Sequence, residues 1–263
     1  MWPVVNGEIV AFGKTFHNEI AGPFHKNIAE SFFTRRTEFL SIFKDVTEIG
    51  VLQERLRNFV AEYYLVPFLK NNGSNLKIAN IEALNRAIEK WIEHLSGYLW
   101  RIPSLWQAPR ELVDSVLKNI FHKPEQTLSA LHVFSDGVML KLSGRYDCAL
   151  FNPDTKEPML IEFKGYGSDD NAVSGLAQML VYAWLFEKNA GFVPSLTVFY
   201  LVSNEAPEVI PSHMVADMLK NNFPSALDLM RRVLERRRPI PRSDYTWLCS
   251  KCYFNARCDS DWG

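Results

Sequence analysis

The sequence predicts an α/β protein: a core with a mixed central β-sheet flanked by helices, preceded by a mainly helical N-terminal region. Three observations predict it. Apolar residues recur at helical spacing through residues 1–121. From residue 122 onward the texture changes to short β-rich runs broken by turn residues. A long apolar stretch of helical length then separates the last β-run from the others, and strands followed by a helix and a further strand build a mixed sheet.

The elements follow in order. "VLQERLRNFVAEYYLVPFL" places Leu52, Leu56, Val60 and Tyr64 on one helix face. "NNGSN" at 71–75 is a loop. "NIEALNRAIEKWIEHLSGYLW" repeats the helical pattern with Ile81, Leu84, Ile88, Trp91 and Leu95, and Asn80 is placed to cap it. "PRELVDSVLKNIF" reads as a third helix with Pro109 in its first turn. "TLSALHVF" and "VMLKLSG", joined by Ser135-Asp136-Gly137, predict a hairpin. "YDCALF" and "PMLIEFK" are joined across Asn152-Pro153-Asp154, and "SLTVFYLV" is the last strand. A helix from about Ala172 to Lys188 precedes that strand, and a second helical region spans 212–238. The chain thus divides into a helical region (1–121), a core (122–240) and a cysteine-bearing tail (241–263).

Composition narrows the function classes. Hydrophobic residues make up 47% and aromatics 13%, enough for a substantial core. Lys+Arg number 29 against 30 Asp+Glu, so a polyanionic partner must be met by a local patch rather than by net charge. "RRVLERRRPIPR" is one such patch, with Arg231, Arg232, Arg236, Arg237, Arg238 and Arg242, or else a solvated helix face. No stretch reaches the roughly 20 apolar residues of a membrane helix. "MWPVVNGEIVAFG" lacks a basic n-region, so a cytoplasmic location is expected. Three of the four cysteines, Cys249, Cys252 and Cys258, crowd the tail; in a reducing compartment such a cluster points to metal rather than disulfides. Cys148 reads as a small buried residue.

The chemistry centres on "LIEFKGYG". Strand periodicity sends Glu162 and Lys164 to one face and Ile161 and Phe163 to the other. Asp147, in "SGRYDCALF", lies on the preceding run, and a turn at 152–157 brings it beside Glu162. Two carboxylates and an ammonium buried together are costly unless a divalent cation intervenes, and hard oxygen donors suit Mg²⁺ or Mn²⁺. Gln178 and Tyr182 share one face of the apolar helix, and each needs a hydrogen-bond partner there. The tail, Cys249-x2-Cys252-x5-Cys258, suits zinc or an iron–sulphur cluster.

G-x-x-D at Gly144–Asp147, E-x-K at Glu162–Lys164, Q-x-x-x-Y at Gln178–Tyr182 and the cysteine tail, in that order, resemble the RecB-type nucleases of the PD-(D/E)XK superfamily. More narrowly they resemble its iron–sulphur branch, which includes the CRISPR-associated exonuclease of the Cas-four type, the nuclease domain of AddB and helicase–nucleases of the Dna-two type. The resemblance covers residues 122–263. It implies a restriction-endonuclease-like core and a divalent-metal-dependent DNA exonuclease acting on single-stranded or frayed ends. Asp147, Glu162 and the backbone carbonyl of Phe163 would bind Mg²⁺ or Mn²⁺, and Lys164 would be the catalytic lysine. Gln178 and Tyr182 would contact DNA or support the site. Cys249, Cys252 and Cys258 would hold three corners of a [4Fe–4S] cluster that closes the tail onto the N-terminal region. DNA is the implied partner, with a CRISPR integrase or a helicase subunit beside it; no G-x-x-x-x-G-K-[ST] sequence is present, so any ATPase would be a separate chain.

Two departures leave alternatives open. No cysteine precedes Cys148, so the fourth cluster ligand could be His17 or His25, the centre could be a three-iron cluster or zinc, or the cysteines could hold no metal. Relatives carry a metal-ligand histidine on a helix before the Asp strand; His94, His122 and His132 are the candidates here. A DNA-binding or assembly subunit with a structural metal centre, and a site-specific endonuclease on the same fold, are the competing functions.

Overall fold

The structure, a computed structural model, describes residues 12–30, 35–72, 78–165, 168–201 and 206–235. The cysteine tail and Arg236, Arg237, Arg238 and Arg242 lie outside the described residues. A helical stretch over 12–16 runs into a π-helical turn, His17–Ala21, and then α1, Gly22–Ala29. Next come α2 (Arg36–Ser41), α3 (Ile49–Val60), a second π-helical turn (Ala61–Leu65), α4 (Val66–Asn72), α5 (Ile78–Trp100), α6 (Pro103–Gln107) and α7 (Val113–Ile120). The strands β1 (Thr127–Val133), β2 (Met139–Arg145), β3 (Cys148–Asn152) and β4 (Glu157–Lys164) follow. Then come α8 (Ser168–Ala190), β5 (Ser195–Tyr200), β6 (Glu208–Ile210), α9 (Ser212–Asn221) and α10 (Phe223–Leu234).

The predicted mixed sheet is present. Its order is β3-β4-β5-β6, with β4 and β5 parallel across α8 and the other pairs antiparallel. Strands β1 and β2 form a separate antiparallel hairpin, as the Ser135-Asp136-Gly137 turn predicts.

Alternation along the strands gives the sheet a packed layer on each face. One sheet face sends Leu150, Ile161, Phe163 and Phe199 into a core shared with Phe16, Phe24, Leu56, Trp91 and Leu117 of the N-terminal helices. The other sends Ala149, Leu160, Val198 and Tyr200 against Met179, Ala183 and Phe186 of α8. The opposite side of α8, with Trp184 and Leu185, meets the hairpin and α10 through Leu128, Leu142, Phe223 and Leu227. Helix α8 is apolar nearly all round because it is covered from both sides.

Several boundaries differ from the sequence expectation, among them the end of α4, which runs through Asn72 into the expected loop. Helix α5 starts at Ile78, so Asn80 lies inside it rather than capping it. Pro109 forces Ala108 into extended backbone and opens a turn closed by the Leu112 N–H on the Pro109 carbonyl (2.8 Å); α7 begins only at Val113. The helical region after residue 212 divides at Asn222, since Pro224 cannot supply the N–H that would continue one helix into the next.

Candidate active site

Register places the two carboxylates. Strands β3 and β4 pair antiparallel with Cys148 opposite Ile161, so the next position sets Asp147 opposite Glu162. There the chain leaves the ladder, and the Phe163 N–H donates to Asp147 Oδ2 (2.9 Å) instead of to a backbone carbonyl. The Asp147 carbonyl accepts from the Glu125 N–H (3.2 Å), which fixes the residue from the other side.

Glu162 is 5% exposed. Its Oε1 accepts from Lys164 Nζ (2.8 Å) and Gln178 Nε2 (3.2 Å). Its Oε2 is buried without a hydrogen-bond partner. Burial, and then the neighbouring Asp147 charge, push the Glu162 carboxyl up to about 7, against the pull of Lys164. Burial also raises Asp147, opposed by His17 and by the Phe163 N–H. A buried oxygen with no donor, beside a second carboxylate destabilised by the same burial, fits a hard divalent cation. Among the described residues, no three His, Cys, Asp or Glu side chains form a ready-made cage. The remaining ligands would be backbone and water, the usual condition of Mg²⁺.

Lys164 Nζ also donates to Gln178 Oε1 (2.6 Å), and Gln178 Nε2 donates to the Tyr182 hydroxyl (2.5 Å). The partners that Gln178 and Tyr182 require on their shared helix face are therefore found within the site itself. Gly144 explains the glycine of G-x-x-D. A Cβ there would stand 2.6 Å from Tyr182 Cε1, so only glycine lets the hairpin reach the tyrosine ring.

The histidines separate. His17 meets the carboxylate site: it lines the same cavity as Asp147 and Glu162, and its Nε2 lies 3.1 Å from Glu125 Oε1. The three candidates for the upstream metal ligand do not line that cavity. His94 packs edge-on against Phe199 and is lowered to about 4 by burial. His122 sits beside Phe151, and His132 beside Phe134 on the hairpin. His25 is fully buried between Trp91 and Phe121, its pKa lowered to about 3 by burial, and serves the aromatic core. Cys148 is buried in the core, its thiol raised by burial, as expected.

The cavity encloses about 960 Å³. Asp147 and Glu162 share its wall with four cations that no sequence motif singles out: Lys14, Lys26, Lys123 and Arg145. Lys14 and His17 arrive because Gly13 packs on the end of β4, where a Cβ would be 2.9 Å from the Gly165 nitrogen. The signal available for this segment is Phe16, Ile20, Phe24 and Ile28 at four-residue spacing, all buried. Of the arginine run, Arg231 bonds Asp136 and Glu235 and lies over the Phe134 ring, while Arg232 pairs with Asp228 (2.7 Å). These two arginines are committed to the hairpin and their own helix.

A model of the PD-(D/E)XK nuclease superfamily matches residues 29–259. No curated protein matches the chain.

Proposed function

The chain belongs to the PD-(D/E)XK nuclease superfamily, and we propose that it is a Mg²⁺- or Mn²⁺-dependent deoxyribonuclease, an exonuclease of single-stranded or frayed ends. The observation that carries this reading is the Asp147–Glu162 pair, with an unpartnered Glu162 oxygen, in a cavity that Lys14 and Lys26 also line, together with Lys123 and Arg145, which pair with Glu30 and Glu125. Carboxylates alone would repel a phosphodiester; the surrounding cations supply the attraction and the carboxylates the cation site.

Asp147, Glu162 and the Phe163 carbonyl would hold the metal. When bound, such an ion polarises a phosphoryl oxygen and lowers the pKa of a coordinated water. Lys164, fixed by Glu162 and Gln178, stabilises charge developing on the phosphate oxygens. Tyr182 and Gln178 hold that lysine in place. His17, held by Glu125, adds a donor or a ligand at the same wall.

The same proposal extends to the tail and the pathway. Cys249, Cys252 and Cys258 hold a [4Fe–4S] cluster as in the iron–sulphur branch, and the pathway is CRISPR adaptation or a related repair or defence process. Iron and acid-labile sulphide assays on anaerobically purified protein, set against zinc content, decide the cofactor. No described helix is long and apolar enough to cross a membrane.

The activity is tested with end-labelled single-stranded and duplex DNA in Mg²⁺ and Mn²⁺. Asp147→Ala and Lys164→Ala are expected to abolish metal-dependent cleavage, by about a hundredfold or more, while DNA binding persists. Absence of cleavage by the unmodified chain on every DNA form would leave a binding module in place of an enzyme.

A further inference from the structure

A second depression, about 820 Å³, adjoins the cavity, and Lys123 lines both. Its walls combine aromatic rings with lysines: Phe151 of β3, Phe192 just after α8, and Lys118, Lys123 and Lys156. Phe192 is 47% exposed. It is placed there by the end of α8, where Gly191 takes a left-handed φ of 78° and its N–H returns to the Glu187 carbonyl (2.8 Å). The His122 ring stands 5.9 Å from Phe151 and extends the aromatic wall. Lys118 is paired with Asp114 (3.1 Å) and Lys123 with Glu30 (2.9 Å). Lys156 makes no ion pair among the described residues.

We propose that this depression is a stacking site for unpaired bases of the DNA strand whose scissile phosphate occupies the cavity. Phe192 and Phe151 offer the ring faces, and Lys156 meets the strand's backbone. The proposal rests on the deoxyribonuclease reading and adds to it the place where the strand's unpaired bases are held. An apolar peptide would gain nothing from the lysines at the rim, whereas a nucleotide strand alternates a ring with an anion and matches rings set among cations. Bases in a duplex are already stacked on one another and cannot reach Phe192 without being extruded.

The test measures binding in EDTA by fluorescence anisotropy of a labelled short single strand on the full chain. Phe192→Ala changes a half-exposed side chain. Lys156→Asn keeps a residue that tolerates the left-handed backbone found there, φ 60°. Together they are expected to raise Kd about tenfold or more, the loss of one stacked base. A strand of equal length with abasic sites should bind the unmodified chain more weakly than the intact strand does, and Phe192→Ala alone should weaken it little further. Cleavage of a thymidine nitrophenyl phosphodiester, which fills only the cavity, should be the same in both proteins. A Kd that stays within about twofold of the parent value, or no dependence on bases, overturns the stacking site, as does an unmodified chain that binds no single strand. If base-dependent binding is found without cleavage in Mn²⁺, the stacking site stands and the nuclease reading falls. Cleavage with base-independent binding keeps the nuclease reading and removes the stacking site.

Discussion

A carboxylate buried against another carboxylate is stable only while something positive faces it. Lys164 faces one oxygen of Glu162, and the other has no partner. Glu162 therefore titrates at about 7 in the folded chain and at about 4.5 when exposed. Between these values the folded state holds a proton that the unfolded state releases, so stability falls as pH rises through that window. The loss is complete above about 7 and amounts to about 3 kcal/mol. The raised Asp147 carboxyl acts in the same direction from a lower starting point. Glu162→Gln keeps the acceptor used by Lys164 and Gln178 but removes the charge. In EDTA at mildly alkaline pH it should melt several degrees higher than the parent, with a flatter stability profile between about pH 5 and about pH 7. It should lose cleavage, and added Mn²⁺ should raise the parent's melting temperature but not the variant's. Thermal melts and cleavage assays, with and without the ion, check all three; a variant less stable than its parent in EDTA would show that Glu162 is not under strain.

At the scale of elements, Asp147 stands at the head of β3, β4 carries Glu162 and Lys164, α8 carries Gln178 and Tyr182, and β2 supports Tyr182 through Gly144. Gly144→Ala forces a methyl group into the Tyr182 ring and should cost about 1–3 kcal/mol of stability by overpacking. Activity should fall further than stability, because the displaced ring moves Gln178 and with it Lys164. Adding Tyr182→Ala should return most of the stability without the activity, a non-additive pair visible in a double-mutant cycle of melting and cleavage. Much of this assembly is legible in the sequence. Period-two alternation and one turn set Asp147 opposite Glu162, and the four-residue step in α8 puts Gln178 and Tyr182 together. What is not legible comes from packing between distant segments. His17 reaches Glu125 across 108 residues, and no periodicity in "TFHNEI" says that its helix will lie on the end of β4. The aromatic enclosure that makes His25 a core residue is likewise a product of tertiary contacts with Trp91 and Phe121.

At the scale of the whole molecule, the balance of 29 basic and 30 acidic side chains hides a local asymmetry. The N-terminal layer contributes Lys14 and Lys26 to the cavity, neither in an ion pair among the described residues, and the loop before β1 adds Lys123. Asp147 and Glu162 come from the sheet layer, and Glu125 from that same loop. The division matters for the proposed activity: the helices would attract the strand and the sheet would supply the cation site that cuts it. Each lysine that neutralises a phosphate releases condensed counterion, so the slope of log Kd against log salt counts such contacts at about 0.7 per phosphate on a single strand. Lys14→Ala and Lys26→Ala, measured separately in EDTA, should each weaken binding and reduce that slope by about 0.7. Cleavage at saturating substrate in Mn²⁺ should remain near the parent rate, since neither lysine hydrogen-bonds Asp147, Glu162 or Lys164. An unchanged slope would mean that the strand does not pass the N-terminal layer, and the attraction would then have to come from Lys123, Arg145 and Lys156.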